Sequence, residues 1–426
     1  MDSIIIAIPA AEAQVSGPPS KEKKKLKLST SPIVSYIKEK RSSKQDTRKL
    51  IHSVKVGIAL VLVSLLYLLN PLYEHVGDNA MWAIMTVVVV FEFFAGATLR
   101  KGLNRGMGTI LGGGLGCLAA SLAQQVGGIG NSIIVSVFVF VFGAAATYSR
   151  MVPSIKKKYD YGAMIFILTF NLVVVSGLRA EEVMKLARER LSTIVMGFAV
   201  CVFISLLVFP MWASDELHDS IASNFQHLAT SIEGCLEEYF RLVNDKEDQP
   251  TSSFISSCKS VLNSKSKDES LANFAKWEPW HGKFGLYHPG EKYLKIGELL
   301  RELSSAILSL QDCLQSPKQA SSSMRQLIRE PCEAVGLSLA LTLRELGESL
   351  MKMTRSQQED LIAPKLKSMA SELSSAMSSS QLVPLENVDG LAIATSVFML
   401  MEMVEKVEKL AKEVEELGEL AGFKTQ

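Results

Sequence analysis

The sequence offers few features from which an enzyme active site could be built. Its six cysteines are scattered without a C-x-x-C spacing, so they imply neither a disulfide scaffold nor a zinc site. Its six histidines show no H-E-x-x-H spacing, and no G-x-x-x-x-G-K-[ST] phosphate-binding loop occurs. We therefore predict no catalytic residues, no metal site and no cofactor, and we expect that the protein is not an enzyme.

Charged residues are also scarce, at 21% of the 426 residues, and they avoid one part of the chain. Residues 51–210 hold nearly all of the long apolar runs, whereas residues 214–426 are rich in charge and helical in pattern. A single soluble core does not explain this division. We predict an all-α membrane protein with a basic cytosolic N-terminal tail (1–49), a transmembrane domain (50–212) and a cytosolic helical domain (213–426) that contains a linker at about 245–290.

Six stretches are long and apolar enough to cross a bilayer, whose core of about 30 Å needs about 20 helical residues. They lie at about 51–70, 79–97, 106–124, 131–149, 160–178 and 190–210. A large soluble helical bundle does not fit, because residues 132–146 contain no charged side chain. Gly108, Gly112 and Gly116 lie four residues apart on one face of the third stretch, which predicts close contact between helices.

Lysine and arginine are distributed unevenly over the connections between these stretches. Eleven of them lie between residues 21 and 49, against three acidic residues. A basic run also suits nucleic acid, but its position before an apolar helix favours a cytoplasmic orientation signal that contacts anionic lipids. The connections at 71–78 and 124–130 have no lysine or arginine, whereas those at 100–105 and 150–158 are basic. This alternation predicts that both termini are cytosolic. The connection at 179–190 does not fit the alternation, because it is basic on the side predicted to be external.

Amphipathic helices are predicted after Pro210, with a Ser- and Lys-rich linker at 250–270. They lie at about 215–243, 292–315, 324–355, 358–379 and 388–421. The last helix has an apolar stripe formed by Met403, Val407, Leu410, Val414, Leu417 and Ala421. This stripe fits two alternatives: pairing with another subunit, or packing on its own domain.

Glu92 is a charged residue well inside the apolar run of the second stretch. Charged groups at the centre of a membrane helix are costly, at about 2.5–3.5 kcal/mol for Arg, Lys or Asp on insertion scales. Glu92 should therefore face the bundle interior and have a basic partner. Two interpretations remain open: a pore or gating group, or a buried pair with Arg105 or Arg150 that fixes helix positions.

Basic residues bracket the apolar stretches, and rings of Arg and Lys are the means by which pores attract anions. Many such residues serve only as topology determinants or lipid-headgroup contacts. We predict that four of them face the pore and bind anions: Arg105, Arg150, Lys157 and Arg190. Arg100 and Lys101, together with Glu92, are predicted to be gating or structural charges.

Five segments of the chain resemble the plant aluminium-activated malate transporter family. They are FEFFAGATLRKGLNRG (91–106), AAATYSRMVPSIKKKYDYG (144–162), IFILTFNLVVVSG (165–177), SLLVFPMW (205–212) and the tripeptide Trp277, Glu278 and Pro279. The resemblance runs from about residue 50 to about residue 300. Beyond residue 300 it consists of a helical pattern only.

The resemblance implies a homodimeric anion channel with six membrane helices per subunit, a pore lined by basic residues and a helical cytosolic domain. Glu92, Arg105, Arg150 and Lys157 match charged positions of the family, and Trp277–Pro279 matches its cytosolic signature. The implied partners are malate, inorganic anions and the lipid bilayer, without nucleic acid. Family members reside in the plasma or vacuolar membrane, and we favour the plasma membrane. The resemblance does not imply that aluminium activates this chain.

The function predicted from the sequence is passive malate transport by an anion channel. The first alternative is a proton-coupled exporter of organic acids in which Glu92 carries the proton. The second is a non-transporting membrane scaffold whose cytosolic helices bind partners. Uphill anion movement under a pH gradient would indicate the exporter, and the absence of any flux would indicate the scaffold.

Overall fold

The computed structural model describes most of the chain. The described residues are 32–68, 81–126, 128–177, 183–240, 251–282, 289–314, 322–355, 364–369, 371–372, 374–375 and 388–425. Their backbone is almost entirely helical, which confirms the predicted all-α class. Residues 1–31 of the predicted tail, the predicted connection at 71–78 and most of the predicted helix at 358–379 lie outside the described residues.

The chain divides into two compact units, one up to Thr47 and the other from Arg48 to Gln426. The described part of the first unit is the beginning of helix α1, Pro32–Leu68. The second unit contains the remainder of α1 and all later elements. These are α2 (Met81–Val90), α3 (Ala95–Val126), α4 (Gly128–Met151), α5 (Pro153–Gly177), α6 (Val183–Leu207), α7 (Ala213–Phe240), α8 (Thr251–Leu262), α9 (Lys265–Ala275), α10 (Gly290–Leu314), α11 (Ser322–Lys352), β1 (Thr354–Arg355), α12 (Val388–Ala421) and β2 (Lys424–Thr425).

Four helices among the described residues are long and apolar enough to cross a membrane. They are α3, α4, α5 as far as Ser176, and the Arg188–Leu207 part of α6. Helix α2 is apolar as well but has only ten residues. These helices agree with the predicted membrane protein, whereas the number of six spans stays a prediction.

The second and third predicted spans differ from the observed helices. Helix α2 ends at Val90 and α3 begins at Ala95, so the span predicted at 79–97 contains a break and the next helix starts well before residue 106. The Thr98 side chain stabilises the break, because its hydroxyl accepts a hydrogen bond from the Glu92 N–H at 3.0 Å. The same hydroxyl lies 3.3 Å from the carbonyl oxygen of Phe94. Three of the four residues at 91–94 are phenylalanine, so hydropathy does not reveal the break.

Helices α3 and α5 pack closely along the predicted glycine face. A Cβ atom at Gly108 would lie 2.4 Å from the carbonyl oxygen of Gly162, and one at Gly112 would lie 2.7 Å from that of Phe166. Such distances leave no room for a side chain, so the two backbones approach each other only because these positions are glycine. The predicted close helix contact is confirmed.

Helices α7 to α12, called the helical domain below, share one continuous apolar core. The apolar stripe of α12 belongs to this core: Met403, Val407, Leu410 and Leu417 are fully buried. Helix α12 packs against α10 and α11 of the same chain. Of the two alternatives for this stripe, packing on its own domain is the one observed. The two-residue strands β1 and β2 pair in parallel, with Thr354 opposite Lys424.

Two helices, α8 and α9, occupy much of the segment predicted as a Ser- and Lys-rich linker. Cys258 and Leu271 from these helices are buried in the core of the helical domain. The Ser304 hydroxyl donates a hydrogen bond to the Cys258 carbonyl oxygen at 2.8 Å, which joins α8 to α10. Burial of a few apolar residues therefore stabilises each short helix, although the segment as a whole is polar in composition.

Candidate anion-binding site

A cavity of about 290 Å³ lies where the start of α3, the start of α5 and the end of α9 meet. Five of its eleven lining residues are basic. The lining residues are Glu92, Ala97, Arg100, Lys101, Asn104, Lys156, Lys157, Lys158, Asp160, Tyr161 and Phe274. Five cations thus face two carboxylates, which makes the cavity suited to hold an anion.

Arg100 and Asn104 of α3 hold the first turns of α5 in place. The Arg100 Nη2 donates hydrogen bonds to the carbonyl oxygens of Lys157 at 2.7 Å and Lys158 at 3.3 Å. Asn104 Nδ2 donates to the Lys158 carbonyl oxygen at 3.0 Å. These bonds fix the backbone that carries the lysines, so the positive charges are positioned before any anion arrives.

Glu92 lies in the break between α2 and α3, and its carboxylate pairs with Lys101 Nζ at 2.5 Å. The sequence predicted a basic partner for Glu92 but proposed Arg105 or Arg150, and the structure gives Lys101 instead. The reason is the helix break, because it places Glu92 against the second turn of α3. Both side chains are partly exposed, so the pair contributes little to stability.

Arg105 lies one helical turn deeper than Lys101 on the same helix, about 6 Å along the axis. Its side chain is buried, at 4% exposure, and its Nη1 donates a hydrogen bond to the Tyr161 hydroxyl at 3.1 Å. Its Nε has no hydrogen-bond partner among the described residues. Since Tyr161 also lines the cavity, a buried cation stands directly behind the cavity wall.

Of two more predicted pore residues, Lys157 lines the cavity and Arg150 contacts it only through Asp160. Lys157 Nζ pairs with Glu269 of α9 at 2.8 Å. The hydrogen bond from Lys157 lowers the pKa of the Glu269 carboxyl below its ordinary value. Arg150 does not line the cavity; its Nε binds Asp160 at 2.8 Å across the turn between α4 and α5.

Arg190, the fourth predicted pore residue, lies apart from the cavity. It is near the start of α6, and its guanidinium carbon is 4.8 Å from the ring centroid of Trp82 in α2. Its Nε and Nη1 lack hydrogen-bond partners among the described residues. Seventeen residues separate Arg190 from the end of α6 at Leu207, about 25 Å along a helix. Arg190 therefore lies at a different depth in the bundle from the other three predicted pore cations.

The signature Trp277–Pro279 joins the helical domain to the membrane helices. The Glu278 side chain is 2% exposed, and its carboxylate accepts hydrogen bonds from the N–H groups of Ala213 and Ser214. The Ser214 hydroxyl donates to the same carboxylate at 2.7 Å. Glu278 thus satisfies the free N–H groups at the start of α7 and complements the helix dipole there.

The same segment touches the start of α3, next to the cavity. A Cβ atom at Gly96 would lie 2.1 Å from the Phe274 carbonyl oxygen and 2.9 Å from Glu278 Cγ. The Ala95 N–H donates a hydrogen bond to the Met211 carbonyl oxygen at 3.0 Å. The break after α2, the cavity and the helical domain therefore share one junction.

Sequence reasoning did not select Tyr161, Asn104 or Lys55. Lys55 of α1 is 1% exposed, and its Nζ donates a hydrogen bond to the Phe209 carbonyl oxygen at 3.3 Å. A signal for Lys55 existed, because it is a lone cation within an apolar run. Tyr161 and Asn104 have no such signal, since their roles depend on contacts between α3 and α5.

Comparison with known proteins gives a consistent set of relatives. A family model described as "Aluminium activated malate transporter" matches residues 41–388. The chain is 43% identical over 390 residues to "Aluminum-activated malate transporter 2" of Arabidopsis thaliana, with 91% of this chain and 78% of that protein covered. It is 41% identical over 394 residues to transporter 7 of the same plant, covering 86% and 78%. It is 40% identical over 330 residues to "Aluminum-activated malate transporter 1" of Triticum aestivum, covering 74% and 70%.

Proposed function

We propose that this chain, which belongs to the aluminium-activated malate transporter family, is an anion channel through which malate crosses a plant membrane passively. The family and the apolar helices make it a multi-pass membrane protein. Its relatives are named as transporters, so it is not an enzyme. The passive mechanism and the route of the anion are the proposal.

The observation that carries the proposal is the basic cavity with Arg105 behind it. An anion in the cavity meets the side chains of Lys101 and Tyr161. The Tyr161 hydroxyl accepts a hydrogen bond from Arg105, and Lys101 Nζ is 5.5 Å from the Tyr161 ring centroid. Positive groups thus continue from the cavity into the bundle. A buried arginine without a carboxylate partner among the described residues favours a negative solute beside it.

Passive conduction needs no energy-coupling machinery. A membrane potential supplies about 2.3 kcal/mol per charge per 100 mV, which drives an anion out of a negative interior. Inorganic anions that fit the same charges are expected to pass as well. Arg150, Lys157 and Arg190 remain proposed pore residues, and Glu92, Arg100 and Lys101 remain proposed gating or structural charges.

We further propose six spans, with both termini in the cytosol and the plasma membrane as the location. The first span is the apolar part of α1 from about residue 51, and the second is α2 with the break that follows it. A ten-residue helix covers about 15 Å, half of a bilayer core, and broken helices of this kind are tolerated where they line a cavity. In this orientation the basic cavity faces the cytosol. A homodimer, as the family resemblance implies, is the proposed assembly.

Reconstitution tests the function directly. The purified chain is placed in liposomes with a malate gradient, and the reversal potential of the current is measured at several gradients. We expect the reversal potential to follow the malate gradient. A reversal potential that ignores malate contradicts the channel, and malate accumulation against its gradient under an imposed pH gradient favours the coupled exporter. Absence of flux from correctly folded protein favours the scaffold.

A further inference from the structure

Three consecutive lysines, Lys156, Lys157 and Lys158, stand exposed at the first turns of α5. Together with Arg100 and Lys101 they outnumber the two carboxylates of the cavity, Glu92 and Asp160. This surplus of positive charge is concentrated in about 290 Å³. A permeating dicarboxylate would neutralise only part of it.

The acidic groups near the cavity are already paired. Glu92 binds Lys101, Asp160 binds Arg150, and Glu269 binds Lys157. In contrast, Lys156 and Lys158 form no ion pair within 4.0 Å with any described residue. Lys156 still acts on Asp160 electrostatically, but the charges of Lys156 and Lys158 are less committed than those of Lys101 and Lys157.

The lysines lie at the depth where lipid headgroups are found. Helix α4 ends at Met151 and α5 begins at Pro153, and both helices are apolar enough to cross a membrane. The turn between them therefore lies at the membrane–water boundary. Tyr148, Met151 and Tyr159 flank the lysines and are 72%, 71% and 47% exposed. Exposed aromatic and apolar groups beside lysines are typical of this boundary.

We propose that the cavity formed by Arg100 and Lys156–Lys158 binds the headgroup of a membrane lipid that carries several phosphates, of the phosphoinositide class. A phosphate monoester has up to two negative charges and three acceptor oxygens. A headgroup with two phosphates therefore matches the surplus of positive charge better than a carboxylate does. Basic pockets between membrane helices on the cytoplasmic side are the known setting for such headgroups. The acyl chains remain in the bilayer beside α4 and α5.

The backbone geometry supports a preformed site. Arg100 and Asn104 hold the carbonyl groups of Lys157 and Lys158 at 2.7 to 3.3 Å, so the lysine side chains project from a fixed turn. This site lies outside the contact of Arg105 with Tyr161 that we assign to the permeating anion. The two sites share one cavity and Lys157, but the lipid proposal rests on Lys156 and Lys158. Binding by the full chain in detergent is measured without flux, so either proposal can fail without the other.

The test measures binding by the full chain in detergent. The probe is dioctanoyl phosphatidylinositol 4,5-bisphosphate, and affinity is read from the rise in melting temperature and from a direct binding titration. The variant is Lys156→Gln with Lys158→Gln. We expect its affinity to fall at least about tenfold, because each lysine beside a phosphate surface contributes substantially to binding. The control, Lys259→Gln with Lys412→Gln, removes the same charge from exposed positions of the helical domain and should bind like the unmodified chain.

Three further probes distinguish the source of the phosphate: dioctanoyl phosphatidylserine, inositol trisphosphate and inorganic phosphate. We expect each of them to bind more weakly than the bisphosphate lipid. Equal binding by inositol trisphosphate would overturn the assignment to a lipid, and equal binding by phosphatidylserine would overturn the need for several phosphates. If both double variants lost the same affinity, the loss would be an effect of overall charge and would contradict the proposed site. Unchanged melting temperatures without ligand verify that both variants fold.

Discussion

Helices α4 and α7 are similar in length but use their side chains in opposite ways. Helix α4 has 24 residues and buries only Val135, whereas α7 has 28 residues and buries sixteen. Helix α7 presents one apolar face to a protein core, as expected for an amphipathic helix in water. Helix α4 is apolar on nearly all sides, which suits contact with lipid or with a second membrane subunit. The comparison agrees with the prediction that α4 contacts a bilayer and α7 faces water on one side.

Buried charges differ between the two regions as well. In the helical domain, fully buried Asp268 accepts hydrogen bonds from Ser264 at 2.7 Å and Arg301 at 3.2 Å. Burial raises the pKa of Asp268, and Ser264 and Arg301 oppose this rise. In the membrane region, buried Arg105 contacts the hydroxyl of Tyr161 and forms no ion pair within 4.0 Å with a described residue. The first arrangement stabilises a fold, whereas the second leaves a positive charge available for an anion.

Replacing Arg105 and the arginine that pairs with Asp268, Arg301, provides the strongest test of this difference. We expect Arg105→Gln to lower malate conductance at least about tenfold, since two charges 4 Å apart interact by about 4 kcal/mol at an effective dielectric of 20. Surface expression should stay normal. Arg301→Gln should instead destabilise the helical domain by about 3–5 kcal/mol, because it leaves Asp268 buried and unpaired.

Conductance is measured by voltage clamp and stability by melting in detergent. The exposed Arg329→Gln is the control for loss of an arginine and should alter neither property. The proposed contrast between Arg105 and Arg301 would be wrong if Arg105→Gln destabilised the protein while its folded fraction conducted malate normally.

Close packing of α3 against α5 in the membrane region depends on glycine. Gly108→Ala should destabilise the protein by about 1–3 kcal/mol, because its Cβ would collide with the Gly162 carbonyl group. Gly106→Ala in the same helix is the matched control, since a Cβ there meets nothing within 4 Å. Melting temperature and yield of folded protein are the measurements. Equal behaviour of the two variants would show that α3 and α5 can separate without cost.

The junction between the regions depends on Glu278. We expect Glu278→Gln to lower stability by about 1–2 kcal/mol, because the amide keeps one acceptor oxygen but loses the charge that complements the start of α7. The melting temperature of the purified chain measures this loss. Glu291→Gln changes an exposed carboxylate near the same segment and serves as control. An unchanged melting temperature for Glu278→Gln would mean that water replaces the carboxylate at the helix start.

Charges that are more exposed than Arg105, in the cavity or beside it, should have smaller effects. We expect Lys157→Ala and Arg150→Ala to lower anion conductance about two- to fivefold with normal surface expression, since exposed charges contribute about 0.2–1 kcal/mol. The effect should weaken at high salt because of screening. Lys295→Ala, an exposed lysine of the helical domain, is the control. Unchanged conductance would remove Lys157 and Arg150 from the pore.

The smallest expected effect is a pH dependence from Glu216 at the start of α7. Burial raises the pKa of Glu216, but Arg48 and Lys267 outweigh burial and lower the pKa below its ordinary value. Glu216 therefore adds stability above its unfolded pKa of about 4.3, and this stability is lost as pH falls through the lowered folded value. Glu216→Gln should flatten the acid side of a plot of melting temperature against pH. A parallel curve for variant and unmodified chain would contradict this role.

Much of the architecture could be predicted because it depends on local pattern. The apolar runs, the spacing of Gly108, Gly112 and Gly116, and the apolar stripe of α12 all repeat with the helical period, which a sequence displays directly. The sequence also places Lys157 and Arg105 beside apolar stretches, and their role in a pore stays a prediction. The short helices α8 and α9 were less accessible, because their burial depends on contacts with the distant helices α7 and α10.

The sequence by itself determined that this protein has an apolar membrane region, a charged helical region and basic groups at the helix ends, because hydropathy and charge are properties of single residues. Only the tertiary structure decided the break at Phe91–Phe94, the pairing of Glu92 with Lys101, and the burial of Arg105 against Tyr161. It also decided that Glu278 completes the start of α7. Each of these contacts joins residues from different helices or turns, and their geometry is set by packing that no local pattern records.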